Sequence, residues 1–213
     1  MDSARRLPER RLAIALAVLA LAGSGMAGTV PAAAAPAGRT APAVDAQGQW
    51  DLARLLREVA AQDNRRRRFV ERRFVAALDT PVDARGELRF IAPARLEKRT
   101  ASPHAEVLAL DGDQLSVDGP AGRATMSLRQ VPEAAALVEG LRAILAGDSA
   151  TLERVFVATL AGGAADWHLR LVPRDPRALR LLSEIRVSGR GGELDLVETD
   201  QTDGDRSVMR ILR

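Results

Sequence analysis

From Arg66 onward the chain is dominated by a period of two. Arg68, Val70, Arg72, Phe74, Ala76 and Leu78 fall on one face of an extended segment, and Phe69, Glu71, Arg73, Val75 and Ala77 on the other. The alternation returns in Gly86-Glu87-Leu88-Arg89-Phe90, and extended runs follow at 96–100, 105–110, 114–117 and 123–128. Later runs lie at 153–160, 166–172, 184–188, 193–199 and 206–212. Turn residues punctuate them: Asp111-Gly112 is a hairpin signal, and Gly119-Pro120-Ala121-Gly122 a second turn. About eleven strands in series, each with one apolar side and joined by short turns, make an antiparallel meander that curls on itself.

Helical spacing occupies less of the chain. Leu52, Leu55, Leu56 and Val59 repeat at i, i+3, i+4 and i+7. Leu137, Val138, Leu141, Ile144 and Leu145 line one face behind Pro132, which suits a first helical position, and ahead of Gly147, which suits a stop. Asp175-Pro176 opens a short helix carrying Leu179 and Leu182. Three helical pieces cannot cover both faces of so many strands. Their apolar stripes are expected to fill or close the concave side of the sheet. The fold class is α+β, mainly antiparallel β.

The N-terminus has a different composition. Arg5, Arg6, Arg10 and Arg11 precede an uncharged apolar run from Leu12 to Ala22, and small residues follow from Gly23 to Ala35. That is the order of a secretory signal peptide, and the run is too short for the roughly 20 residues that span a bilayer. Gly25-Met26-Ala27 offers cleavage after residue 27, and the alanine run a later site near residue 35. Removing residues 1–27 takes away four arginines and two acids, so the net charge falls from +3 to +1. A nearly neutral domain has no general attraction for a polyanion, and aromatics at 3% offer little for base stacking, so no nucleic-acid partner is expected. Residues 28–48 read as a flexible Ala/Pro linker and residues 49–213 as one domain. Secretion places that domain in the periplasm.

The stretch Gly86-Glu87-Leu88-Arg89-Phe90, then Pro93-Ala94-Arg95-Leu96, Pro103, and Asp111-Gly112 opening a new strand, gives the pattern G-x-L-x-F, P-x-x-L, P and D-G. It resembles the periplasmic outer-membrane lipoprotein carriers, the LolA-like proteins. Phe69-Val70-Glu71-Arg72-Arg73-Phe74 is similar to an early strand of that family, and the element order fits from about Trp50 to Arg213. Carriers usually place an aromatic soon after the P-x-x-L leucine, where this chain has Glu97 and Lys98. The resemblance implies an unclosed (half) β-barrel whose helices form a lid over a hydrophobic cavity. It implies acylated cargo, an inner-membrane export complex as donor and an outer-membrane acceptor. On that architecture Leu88, Phe90, Leu108 and Leu110 are expected to face the cavity together with Val70, Phe74 or Leu78. Leu137, Leu141 and Ile144 are expected in the lid. In the family a strand arginine near the cavity mouth holds the lid, and Arg72 or Arg73 stands at the matching place, for the lid or for a head group.

Enzyme chemistry finds little support. With no cysteine there is no thiolate nucleophile, disulfide or thiolate metal site. Gly147-Asp148-Ser149 lacks a following histidine in a triad place, and a helix cap explains it better. His104 and His168 stand far apart, so no metal or cofactor is expected. The expectation is a monomeric, non-enzymatic carrier of lipoprotein acyl chains or a related lipid. The alternatives are a carrier of another lipid or pigment, or a protein-interaction or sensor module of the envelope.

Overall fold

The computed structural model describes residues 50–62, 66–91 and 95–212. The proposed signal peptide, the linker and Pro93 lie outside the described residues. Strands β1 (Arg66–Phe74), β2 (Val82–Ile91), β3 (Arg95–Ser102), β4 (Glu106–Asp111), β5 (Gln114–Gly119) and β6 (Gly122–Ser127) form one meander. Strands β7 (Phe156–Gly163), β8 (Asp166–Pro173), β9 (Leu182–Arg190), β10 (Glu193–Gln201) and β11 (Arg206–Leu212) form another. The two are joined into a single eleven-stranded sheet in the order β6-β5-β4-β3-β2-β1-β11-β10-β9-β8-β7. Every recorded strand pairing is antiparallel, and β6 and β7 stay apart as free edges, so the barrel is unclosed. The join is the register Phe69↔Ile211, Glu71↔Met209 and Arg73↔Ser207.

Among the described residues three α-helices accompany the sheet. Helix α1 (Leu52–Ala61) is capped by the Asp51 side chain, which accepts from the Arg54 amide at 2.8 Å, and it buries Leu55, Leu56 and Val59. Helix α2 (Pro132–Ala146) crosses from one edge of the sheet towards the other. It ends at Gly147, whose φ of 74° lets its N–H return to the Ala143 and Ile144 carbonyls. Helix α3 (Ser149–Val155) follows at once, with the Asp148 carboxylate accepting from the Thr151 amide at 2.9 Å. Hydrogen bonds from the Thr151 side chain and then from its amide hold the Asp148 carboxyl below its usual range.

Here the sequence reading needs correction. Residues 153–155 were expected in a strand but complete α3, and Leu182 begins β9 rather than ending a helix. The segment after Pro176 makes only a 3-10 turn, Ala178–Arg180. Strand β1 stops at Phe74, so Leu78 lies beyond the sheet. Among the described residues no helix is long and apolar enough to cross a membrane.

The three helices lie against the same face of the sheet. One continuous core joins Leu55, Leu56 and Val59 of α1, Leu137, Val138, Leu141 and Ile144 of α2, and Leu152 and Val155 of α3 to Phe69, Leu88, Leu108, Trp167, Val187, Val197 and Ile211 of the strands. Close backbone approach helps. A Cβ at Gly140 of α2 would stand 2.1 Å from the Phe156 ring, so this glycine lets the ring rest on the helix backbone. The Trp167 indole N–H donates to the Gly191 carbonyl at 2.9 Å, which satisfies the polar end of a fully buried ring.

Candidate functional site

Alternation on β1 decides what the sheet presents on each side. Phe69 and Glu71 are buried and Arg73 is half-buried on the inner face, whereas Val70, Arg72 and Phe74 point outward. The inner face therefore gathers Leu88, Leu108 and Leu110, all buried, with Phe90 packed partly against them. Leu137, Leu141 and Ile144 of α2 meet this group from above in the same core. Val70, Phe74 and Leu78 do not join it: they are 38%, 43% and 54% exposed. The expectation that they face inward is corrected on this point. The odd-numbered residues Phe69 and Glu71 of β1 find room on the inside opposite the small Gly86 and Ala84 of β2.

The inner face is not wholly apolar. Lys98 Nζ donates to Glu71 Oε2 at 2.8 Å, and Arg73 Nε donates to the same oxygen at 3.1 Å. The side chains of Glu71 and Lys98 are 0% and 3% exposed. Lys98 pairs in register with Leu88 and Leu108, so it stands on their side of the sheet. It reaches Glu71 across β2 at Gly86, which has no side chain to stand between them. Its ammonium lies 5.1 Å from the centre of the Phe69 ring. Burial pushes the Lys98 ammonium down to about 8; Glu71 opposes the shift and Arg73 reinforces it. The other carboxylate oxygen, Glu71 Oε1, is buried with no hydrogen-bond partner among the described residues.

Arg72, the first candidate for holding the lid, is instead on the outer face and grips Asp83 through two bonds of 2.7 and 2.8 Å. That grip holds the Asp83 carboxyl low. Arg73 is on the inner face, but its recorded bond goes to Glu71 and not to a helix. A tie between helix and sheet does exist, with the donor on the helix: Arg142 of α2 donates from Nη2 to the Gly112 carbonyl in the β4–β5 turn. This tie is not legible from periodicity, because an arginine among i, i+3 and i+4 apolar positions reads as a solvated helix face.

The outer face is an array of ion pairs, some across strands and some along one strand. Arg186 meets Glu184, Glu198 and Asp200, and Arg206 meets Glu198 and Asp200. Burial pushes the Glu97 carboxyl up, but bonds from Arg95 and Arg99 outweigh it and hold the group below its usual range. The array continues across β1 through Arg72 and Asp83 but leaves an apolar gap on that strand. There a groove of about 620 Å³ is lined by Val70, Phe74 and Val208, with Arg72, Arg85 and Arg210 around it. Both histidines are exposed, and no cluster of metal-ligating side chains occurs among the described residues.

Residues 38–212 match the family described as outer membrane lipoprotein carrier protein LolA-like. The chain belongs to that family. Several solved structures are similar to this LolA-like protein at the level of the fold. A LolA superfamily protein from Nitrosomonas europaea aligns over 75% of this chain and 90% of its own, with 10% identity and a TM-score of 0.38. The Mycobacterium tuberculosis lipoprotein LppX aligns over 76% and 93%, with 11% identity and a TM-score of 0.39. The Pseudomonas aeruginosa MucA/MucB complex aligns over 75% of this chain and 55% of the other, with 10% identity and a TM-score of 0.42. No curated protein matches the chain.

Proposed function

We propose that this LolA-like protein is a periplasmic carrier that takes up acyl chains of lipoproteins, or of a related lipid, against the inner face of its sheet. Family membership supports the reading, and one observation carries it: the apolar inner face is covered by helices instead of by a second sheet. Helices that pack as a separate layer can leave without breaking a strand ladder. An acyl chain can then replace Leu137, Leu141 and Ile144 over Leu88, Leu108 and Leu110. Each buried methylene is worth about 0.8 kcal/mol, so a sixteen-carbon chain gains roughly 13 kcal/mol gross. A membrane offers the same gain. The carrier must therefore come close to the membrane's hold without exceeding it, and displacing its own helices lowers the net affinity into that range. The signal peptide of residues 1–27 and the linker of 28–48 deliver the domain of 49–213 to the periplasm. There an inner-membrane export complex supplies the cargo and an outer-membrane acceptor receives it. No catalytic step is required.

Native mass spectrometry of the protein purified from the cell envelope tests this. A co-purifying acylated mass that disappears on organic extraction is expected. Protein that is always empty, and that fails to bind a fluorescent fatty-acyl probe, overturns it.

A second reading has its own observation, the groove at Val70 and Phe74 on the otherwise charged outer face. It fits a protein-interaction module that reads a partner through the outside of the sheet. The two readings separate on Phe74→Asp, which impairs partner capture on the second and leaves acyl binding intact on the first.

A further inference from the structure

We propose that Glu71 and Lys98 form a polar recognition point within the inner face, built to take a neutral O–H or N–H donor at the head of an acylated ligand. The inference rests on the carrier reading and names the chemistry of the head group that reading leaves open.

The argument begins with an imbalance of hydrogen bonds. Glu71 Oε2 accepts two charged donors, from Lys98 and Arg73, while Oε1 accepts none among the described residues. A buried acceptor on an ionised group is costly to leave unpaired. Lys98 spends one N–H on Glu71, and an ammonium has three. An acceptor and spare donors therefore sit side by side on the inner face, flanked by Phe69 along the strand and by Ala84 and Met209 across it, with the buried Thr100 and Ser207 on the same side. These neighbours share the side of the sheet on which the helices lie, so a ligand that displaces the helices meets this pair.

A hydroxyl or an amide matches both needs, donating to Oε1 and accepting from the ammonium. An anionic head does not. It would bring a second negative charge beside Oε1 in surroundings where like charges repel strongly. Lys98 already neutralises Glu71 through Oε2 within the buried pair, and the further charge of Arg73 is 34% exposed and met by solvent, so the pair calls for no anion. Hydroxyls of glycerolipids and amide N–H groups of acylated peptides share this chemistry.

Binding is measured by displacement of a fluorescent acyl probe from the full-length mature protein. One arm compares 1,2-dioleoylglycerol with its methyl ether, the other an N-palmitoyl peptide with its N-methylated counterpart. The protein is expected to prefer the free donor about tenfold in at least one arm, and the arm that responds identifies the source. In a Glu71→Leu/Lys98→Met double variant that preference vanishes, while affinity for the methyl ether and the thermal midpoint are kept. Equal binding of free and capped ligands in both arms overturns the proposal and leaves Oε1 to an ordered water. So does a preference that survives in the double variant, or tighter binding of dioleoyl phosphatidic acid than of dioleoylglycerol. If the double variant does not fold, the wild-type comparison still decides. No displacement by any ligand overturns the carrier reading as well, and so is distinct from failure of this inference alone.

Discussion

Lys98 ties its protonation to folding. The ordinary lysine value is near 10.4, and burial among Phe69, Leu88 and Leu108 lowers it to about 8 against the pull of Glu71 and, more weakly, Glu106. Between those two values the unfolded chain binds more protons than the folded one. This group's contribution to stability must therefore rise with pH from about 8 to about 10.5 and stay level below 8. Urea unfolding at pH 7, 8.5 and 10 checks this: the rise should be present in wild type and missing in Lys98→Met. Gly86 supports the same pair by leaving its strand bare. A Cβ there would stand 1.9 Å from the Arg99 carbonyl oxygen, so Gly86→Ala must push β2 and β3 apart. It is expected to lose about 2 kcal/mol or more in chemical denaturation. The sequence displayed the two faces of β1 correctly but not which one turns inward. Val70, Phe74 and Leu78 outweigh Phe69 in any hydrophobic count. Glu71 and Arg73 spoil their own face until Lys98, remote in sequence, is seen to pair with them. The pair did leave a trace, as charges at Glu97 and Lys98 where the family usually has an aromatic.

Among the elements, α2 is the one whose motion the carrier reading requires. Gly140→Ala should raise its helix propensity by about 1 kcal/mol. It is nonetheless expected to destabilise the protein, because the new methyl meets the Phe156 ring. A lowered thermal midpoint with unchanged helical circular dichroism would show this. Arg142→Met removes the bond to the Gly112 carbonyl while keeping much of the apolar stem. Faster amide exchange across α2 is expected, with the exchange of β8–β10 unchanged. Most elements were legible from periodicity. The turn signals at Asp111-Gly112 and Gly119-Pro120 fell where β4–β5 and β5–β6 reverse, and the stripe of α1 matched its buried residues. Helix α3 was legible only as a cap at Gly147-Asp148-Ser149, not in its extent. Seven residues are too few to display a helical period, and Val155-Phe156-Val157 reads as extended chain. The deciding feature was the Asp148 cap, one residue before the serine that attracted attention.

At the scale of the whole molecule, the sheet keeps most of its charge outside, the Glu71–Lys98 pair apart, and its helices inside. Ion pairs such as Arg186 with Glu198 and Asp200 are partly exposed, so each contributes little, and salt screens them. Raising the ionic strength is therefore expected to leave the thermal midpoint within a few degrees. A larger drop would assign the outer array a structural role. The half-barrel form was accessible to sequence reading only as an expectation carried by the LolA-like resemblance. Periodicity alone sets how many strands there are, not which two meet in the middle.

That meeting is between β1 and β11, strands more than a hundred residues apart that lie side by side at the centre of the sheet. As the polypeptide emerges from the ribosome, the first meander can assemble hairpin by hairpin, yet its β1 margin must wait for Arg206–Leu212 before it is covered. Long-range pairings of this kind slow folding. The nascent chain thus carries its own delay, a built-in interval in which it remains a pliable thread.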